Sequence, residues 1–351
     1  MKKFYAVVGN PPFQEDPVGD NESYAPQIYN LFLDETYKVG DRVEMVHPSR
    51  FLFNAGSTPK AWNRKMLSDP HLKVLSYESD SGKVFPSIQL PGGIAVTYRD
   101  ETKNFGPIGV YTPFAELNSI IGKVTSGVDF KSMSTIAITR TAYRLTDKLH
   151  FEHPEAKGML SAGHAYDVST NIFERLPQIF LDAKPDDGND YIRMYGRFGG
   201  NRVHKYVRRD YINSVANLDR FKIVYAEADG AAGTLGKPVP ARILGTPIIE
   251  TPGVGTTESF MTVGSFDTNE EANNALKYVK TRFFRTLVGV LKTTQHITPD
   301  KFTYAPLQVF TASSDIDWSK SVADIDRQLY RKYGLDDAEI EFIKSHVKGM
   351  D

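Results

Sequence analysis

Phe4-Tyr5-Ala6-Val7-Val8 runs directly into Gly9-Asn10-Pro11-Pro12-Phe13. Five apolar residues closed by a glycine and two prolines read as a buried strand stopping at a rigid loop, because proline fixes φ and removes a backbone donor. Downstream, Pro26 suits a first helical turn, and Ile28, Leu31, Phe32 and Val39 keep helical spacing. Residues 42–46 predict a second strand stopped by Pro48, residues 58–68 a helix, residues 72–77 an extended segment, and residues 94–99 a further strand after Gly92-Gly93. Strands alternating with helices argue for a mostly parallel α/β sheet.

After about residue 105 this rhythm stops. Residues 192–266 carry repeated turn signals, such as Phe198-Gly199-Gly200-Asn201 and Thr251-Pro252-Gly253, as a β-rich irregular domain would. Thr268 with Glu271 forms a capping box opening a long helix that the pattern carries to about Leu291. Residues 315–351 read as two short surface helices. The chain is therefore read as 1–105, 106–314 and a tail 315–351.

The 351 residues contain no cysteine, with 42 Lys and Arg against 43 Asp and Glu. That excludes a disulfide framework, an iron–sulfur cluster, a thiolate zinc site and a catalytic thiol. It also excludes a uniformly basic protein, although balanced totals say nothing about local patches. No apolar run is long enough to span a membrane. Met1-Lys2-Lys3 and the apolar residues after it begin like a secretion signal, but Gly9-Asn10-Pro11-Pro12 breaks the run too early, so a cytoplasmic location is expected.

The loop after the first strand carries chemistry. Ligands of open α/β sheets sit outside the carboxyl ends of strands. Asn10 offers a side-chain carbonyl, and the main-chain carbonyl of Pro11 is a second acceptor held by a restricted backbone. Two convergent acceptors suit an amino group that must lose conjugation with its ring before it attacks. Phe13 offers a face on which a flat ring can stack. The bland alternative is a strand-ending turn, which Asn-Pro and Pro-Pro also favour.

Asn10-Pro11-Pro12-Phe13 resembles the catalytic motif of adenine-specific DNA methyltransferases. The resemblance extends to residues 25–32, residues 43–52, Val84-Phe85-Pro86 and residues 92–100, which are similar to the restriction–modification methylases of the type IIG-like group. Residues 200–207, 277–285 and 315–351 resemble that group's target-recognition region. The resemblance implies a partial Rossmann-like methyltransferase sheet followed by a mixed α+β target-recognition domain. It also implies base flipping and methyl transfer from S-adenosylmethionine to the exocyclic amino group of adenine in double-stranded DNA. Asn10, Pro11, Pro12 and Phe13 would be catalytic, and Phe13 and Tyr98 would stack the extruded base. Flipping costs a few kcal/mol, which stacking at about 1–3 kcal/mol per base could offset.

One part of the family pattern has no counterpart. The donor site of such enzymes has a glycine-rich turn after the sheet's first strand and an acidic residue beyond the next, upstream of the catalytic loop. Two downstream glycine-rich segments, Gly230–Lys237 and Val254-Gly255-Thr256-Thr257, do not qualify. The first lies in the irregular region, and the second follows no apolar strand. The chain thus reads as the second half of a methyltransferase, with an unpaired strand edge beside Phe4–Val8. A trimmed or split enzyme, a separate donor-binding subunit and a loss of catalysis all remain open.

Two basic stretches free of acids are candidates for DNA contact. One contains Arg193, Arg197, Asn201, Arg202, Lys205, Arg208 and Arg209; the other includes Lys280 and Arg282. Solvated faces are the plain alternative for both. His150 and His153 are the only spaced metal ligands and lack a third, so no metal is expected. Two other functions stay open: a DNA-recognition module without catalysis, and protein glutamine methylation, whose enzymes use a similar loop but lack a large trailing domain.

Overall fold

The computed structural model describes residues 3–15, 26–53, 57–86, 90, 92–228, 235, 239–292 and 295–350. The chain forms two units, Met1–Asn118 and Ser119–Asp351.

In the first unit, β1 (Phe4–Gly9) leads through α1 (Tyr29–Val39) to β2 (Gly40–Pro48), and α2 (Lys60–Ser68) leads to β3 (Leu72–Glu78) and β4 (Ile94–Asp100). The sheet order is β1-β2-β4-β3. β1 pairs parallel with β2, whereas β4 is antiparallel to both of its neighbours. Hence β1, β2 and β3 share one direction, and β4 is inserted between β2 and β3 in reverse. The expected mostly parallel sheet is mixed, for a topological reason. Parallel neighbours need a crossover element, supplied by α1 and α2. Among the described residues, the link from β3 to β4 holds only a short 3-10 turn at Ser81–Lys83, so it returns the chain antiparallel.

The core of this unit lies on one face of the sheet. Tyr29 and Leu33 of α1, Trp62 and Met66 of α2, and Phe51 and Leu52 between β2 and α2 pack on Val43, Met45, Leu72 and Ala95. Ile108 and Tyr111 pack against the same cluster. The inward positions of α1 are Tyr29 and Leu33 at i and i+4; Leu31 and Phe32, expected on the apolar stripe, are exposed. β1 differs from expectation more sharply. Phe4, Tyr5 and Val8 are 53%, 74% and 76% exposed, because among the described residues β1 is an edge strand bonded to β2 alone and packed on the core chiefly through Val7. It is not a buried strand; among the described residues it is an open sheet edge.

α3 (Ala115–Thr125) carries the chain into the second unit. There β5 (Ala137–Ile138) is followed by three short helices, α4 (Asp147–Glu152), α5 (Ala156–Met159) and α6 (Ile172–Arg175). The strands β6 (Tyr191–Phe198), β7 (Asn201–Arg208), β8 (Phe221–Ala226), β9 (Ile248–Glu250), β10 (Val254–Thr256) and β11 (Phe260–Phe266) come next. They form two sheets, β10-β6-β7 and β5-β11-β8-β9. A cluster containing Leu149, Val168, Phe173, Phe180, Met194 and Val207 supports the first of them.

The helix expected over 268–291 is two helices, α7 (Asn269–Lys280) and α8 (Arg282–Gly289). Thr268 caps α7 by accepting from the Glu271 N–H, but the Glu271 carboxylate accepts from Asp267 rather than closing the box on Thr268. The break falls at Thr281, whose ψ of 149° leaves the helical region and whose hydroxyl then accepts from the Phe284 N–H at 3.1 Å. Asp326 accepts the N–H groups of Arg282 and Phe283 at 3.0 and 2.9 Å, supplying the partners that the start of α8 would otherwise lack. Asp326 lies on α9 (Val322–Lys332), which with α10 (Asp337–His346) makes the two tail helices. Ile325, Leu329, Phe342 and Ile343 bury their inner faces.

Candidate functional site

The Asn10–Phe13 loop leaves the sheet at the carboxyl ends of the parallel pair β1 and β2. Asn10 and Pro12 are exposed, Pro11 is buried and Phe13 is half-buried. The loop is held at its far end by the strand leading into α1. The Phe13 carbonyl accepts from the Ile28 N–H at 3.1 Å, and the Glu15 N–H donates to the Pro26 carbonyl at 3.0 Å. Thus Pro26 serves this pairing ahead of α1 rather than the first helical turn, and Ile28 holds the N-cap position.

The other loops at this end of the sheet are tied together by hydrogen bonds to the Gly92 and Gly93 carbonyls. Ser49, just past β2, donates its N–H to the Gly93 carbonyl at 3.1 Å and its hydroxyl to the Gly92 carbonyl at 2.5 Å, and the Tyr77 hydroxyl reaches Gly92 at 3.1 Å. Beneath them His47 is fully buried and stacked on Tyr29, with ring centroids 5.7 Å apart. Its Nδ1 donates to the Pro48 carbonyl at 3.1 Å, which leaves Nε2 to accept from the Thr97 hydroxyl at 2.7 Å. Burial drives its pKa down to about 4, so the imidazole is neutral and structural.

The structure brings one of the two stacking residues to the loop and not the other. Phe13 meets Phe85 edge to face at 6.1 Å. Tyr98 sits inside β4, in register with Glu44, which is itself in register with Val8. Its hydroxyl donates to Asp100 at 3.0 Å, and Asp100 pairs with Arg42, which is in register with Ala6. Tyr98 is therefore directed down the sheet, away from the end at which Asn10 emerges. Bonds from Thr102, Tyr98 and Arg42 hold the Asp100 carboxyl well below the usual carboxylate range. Phe85 is the aromatic that sequence reasoning passed over. Val84-Phe85-Pro86 was a visible signal, but nothing in its spacing pointed to Phe13.

The glycine-rich segments weighed as donor-site candidates differ in their placement. Gly199-Gly200 closes a hairpin, and Val254-Gly255-Thr256 is the buried strand β10 rather than a turn. Except for Leu235, Gly230–Lys237 lies outside the described residues.

Most of the basic residues expected to face DNA are already engaged. Arg208 pairs with Glu152 and Asp210, each at 2.7 Å, and Arg209 with Asp190 and Asp219 at 2.6 and 3.0 Å. Lys205 is buried and pairs with Asp182. Arg193 donates to the Thr251 hydroxyl at 3.1 Å. The stretch lacks acids in sequence, yet the fold supplies them from the flanking Asp190 and Asp210 and from Glu152, Asp182 and Asp219 farther away. Lys280 and Arg282 are half-buried; Arg282 donates to the Val347 carbonyl at 3.0 Å, and their neighbour Arg285 is fully buried. That stretch does not form an exposed basic face, because α8 is enclosed by α7, α9 and α10. Arg197, Asn201 and Arg202 are exposed at the end of the β6–β7 hairpin.

His150 and His153 are spent on the Ala165 carbonyl and the Tyr211 hydroxyl, and no metal-holding cluster exists among the described residues. No described helix is long and apolar enough to cross a membrane.

The crystal structure of the type IIG restriction endonuclease BpuSI aligns with 97% of this chain at 9% identity and a TM-score of 0.34. The chain spans 52% of the length of that protein. No curated protein matches the sequence. Residues 1–85, the segment that contains both Asn10–Phe13 and Phe85, match the family model of the Eco57I restriction-modification methylases.

Proposed function

We propose that this chain is the base-binding and target-recognition part of a DNA adenine methyltransferase of a restriction–modification system. The observation that carries this reading is the Asn10-Pro11-Pro12-Phe13 loop at the carboxyl ends of two parallel strands, with Phe85 set against Phe13. Asn10 Oδ1 and the Pro11 carbonyl accept the two N–H bonds of an exocyclic amino group. This draws the nitrogen lone pair out of conjugation and makes it nucleophilic. Phe13, with Phe85 beside it, receives the flipped adenine.

Bound S-adenosylmethionine would supply the electrophilic methyl group. The open edge of β1, with Phe4, Tyr5 and Val8 exposed and Leu31 and Phe32 exposed on α1, suits a donor-binding part that adds strands beside β1. Recognition without catalysis is the second reading, favoured by the exposed hairpin end that carries Arg197, Asn201 and Arg202.

The deciding experiment combines the chain with the polypeptide encoded immediately upstream, S-adenosylmethionine labelled on its methyl group, and duplex DNA. Label recovered in adenine, falling on the order of 10²–10³-fold in Asn10→Ala while duplex binding is kept, is the expected result. Undiminished transfer by Asn10→Ala overturns the catalytic assignment.

A further inference from the structure

The hairpin of β6 and β7 is seated on the core as far as Gly196 and projects beyond it. A Cβ at Gly196 would lie 2.5 Å from Phe173 and 2.6 Å from Thr257, so this glycine lets the ribbon press onto α6. From Arg197 to Arg202 every residue is exposed, and the turn is a Gly199-Gly200 pair with φ of 55° and 81°, positive as a two-residue hairpin turn requires. The ribbon is thus firmly based and bare at its end.

At that end Arg197 lies directly opposite Arg202. Like charges in such a cross-strand pair destabilise a hairpin. Along the stretch from Arg193 to Arg209, the fold provides a partner for every other basic side chain: Thr251 for Arg193, Asp182 for Lys205, Glu152 and Asp210 for Arg208, Asp190 and Asp219 for Arg209, and Glu250 for His204. Among the described residues, Arg197 and Arg202 have no carboxylate partner. The Glu174 carboxylate, which reaches this turn, accepts from the Gly199 main-chain N–H. Arg202 is steadied by lying over the ring of Phe260, 5.6 Å from its centroid.

We infer that this end of the hairpin enters the major groove of double-stranded DNA and reads base sequence, with Arg197 and Arg202 donating to base edges. This rests on the proposed function and names its specificity-determining residues. A two-stranded ribbon fits the major groove, and the planar fork of arginine matches the paired acceptors of guanine there. Twin guanidiniums without counter-charges are stabilised once they face such acceptors and the flanking phosphates. The other basic side chains of the stretch, already partnered within the fold, fix the ribbon and add little to binding.

The test selects binding sequences from a random duplex pool with the full chain, without methyl donor. Arg197→Lys, Arg202→Lys and the double Arg→Ala variant are compared with the wild type, their folding checked by circular dichroism. Wild type should enrich a motif containing guanine. Each lysine variant, keeping the charge but losing the fork, should cut preference for that motif roughly 5- to 100-fold while leaving non-specific affinity nearly unchanged. The double alanine variant should also flatten the salt dependence of binding. A preference that survives all three variants overturns the inference while leaving the methyltransferase reading intact, as does equal competition by single-stranded or duplex RNA. Absence of duplex binding at low salt overturns both.

Discussion

Phe13 and Phe85 meet edge to face, their ring centroids 6.1 Å apart and their planes inclined at 67°. One follows β1 and the other lies in the link between β3 and β4, so the contact exists only because the sheet brings those two loops to the same end. The contact makes a wall of two aromatic rings at the loop that carries Asn10 and Pro11.

If that wall holds an extruded base, Phe85→Ala should slow methyl transfer about 10- to 100-fold in the reconstituted enzyme, since stacking contributes about 1–3 kcal/mol per base. Phe85→Tyr should keep most of the activity. Fluorescence of 2-aminopurine placed at the target position separates failure to flip from failure of chemistry. Full activity in Phe85→Ala would remove Phe85 from the site.

Tyr98 should behave differently. Its hydroxyl serves Asp100 at 3.0 Å, in a cluster with Arg42 and Thr102, rather than the loop. Tyr98→Phe is expected to leave transfer within about twofold of wild type and to lower Tm slightly, by the loss of one partly buried hydrogen bond. A large fall in kcat with unchanged Tm would restore Tyr98 to the site.

His47 makes the first unit sensitive to acid. Its imidazole is buried neutral with a pKa near 4, against an ordinary value of 6.5, so the unfolded chain binds the extra proton first. Stability from this group is complete above about 6.5 and is lost as pH falls toward 4, by up to about 3 kcal/mol. Urea titrations followed by Trp62 fluorescence in a Trp318→Phe background should show this slope, and His47→Gln should abolish it. Equal slopes in the two proteins would refute the assignment.

Asp326 links α9 to the start of α8. Asp326→Ala should cost the second unit about 2 kcal/mol, because two helix-start N–H groups lose their acceptor. Burial raises its carboxyl pKa to about 6. Its pH dependence is therefore opposite in sign to that of His47: stability declines as pH rises from about 4 through 6. Urea titrations of Asp326→Asn, read by Trp318 fluorescence, should remove that decline.

Local chemistry was legible along the chain. Asn10–Phe13 is a rigid loop after a strand because glycine, asparagine and proline act on their own backbone, and Thr268, with its hydroxyl on the Glu271 N–H, starts α7 for the same reason. The alternation of strand and helix through α1 and α2 was equally local, as was the direction it imposes on β1, β2 and β3. Tertiary structure decided whatever depends on partners far away in sequence. The reversal of β4 follows from a link without a crossover element. The break at Thr281 is completed by Asp326, forty-odd residues on. The exposure of Phe4, Tyr5 and Val8 follows from β1 having a neighbour on one side only. Charge shows the division most plainly. A stretch without acids reads as a basic face, but Glu152, Asp182, Asp190 and Asp219 fold onto Lys205, Arg208 and Arg209, while Arg197 and Arg202 stay exposed without a carboxylate among the described residues. Composition and spacing set which side chains can do chemistry; long-range pairing sets which of them are left to do it.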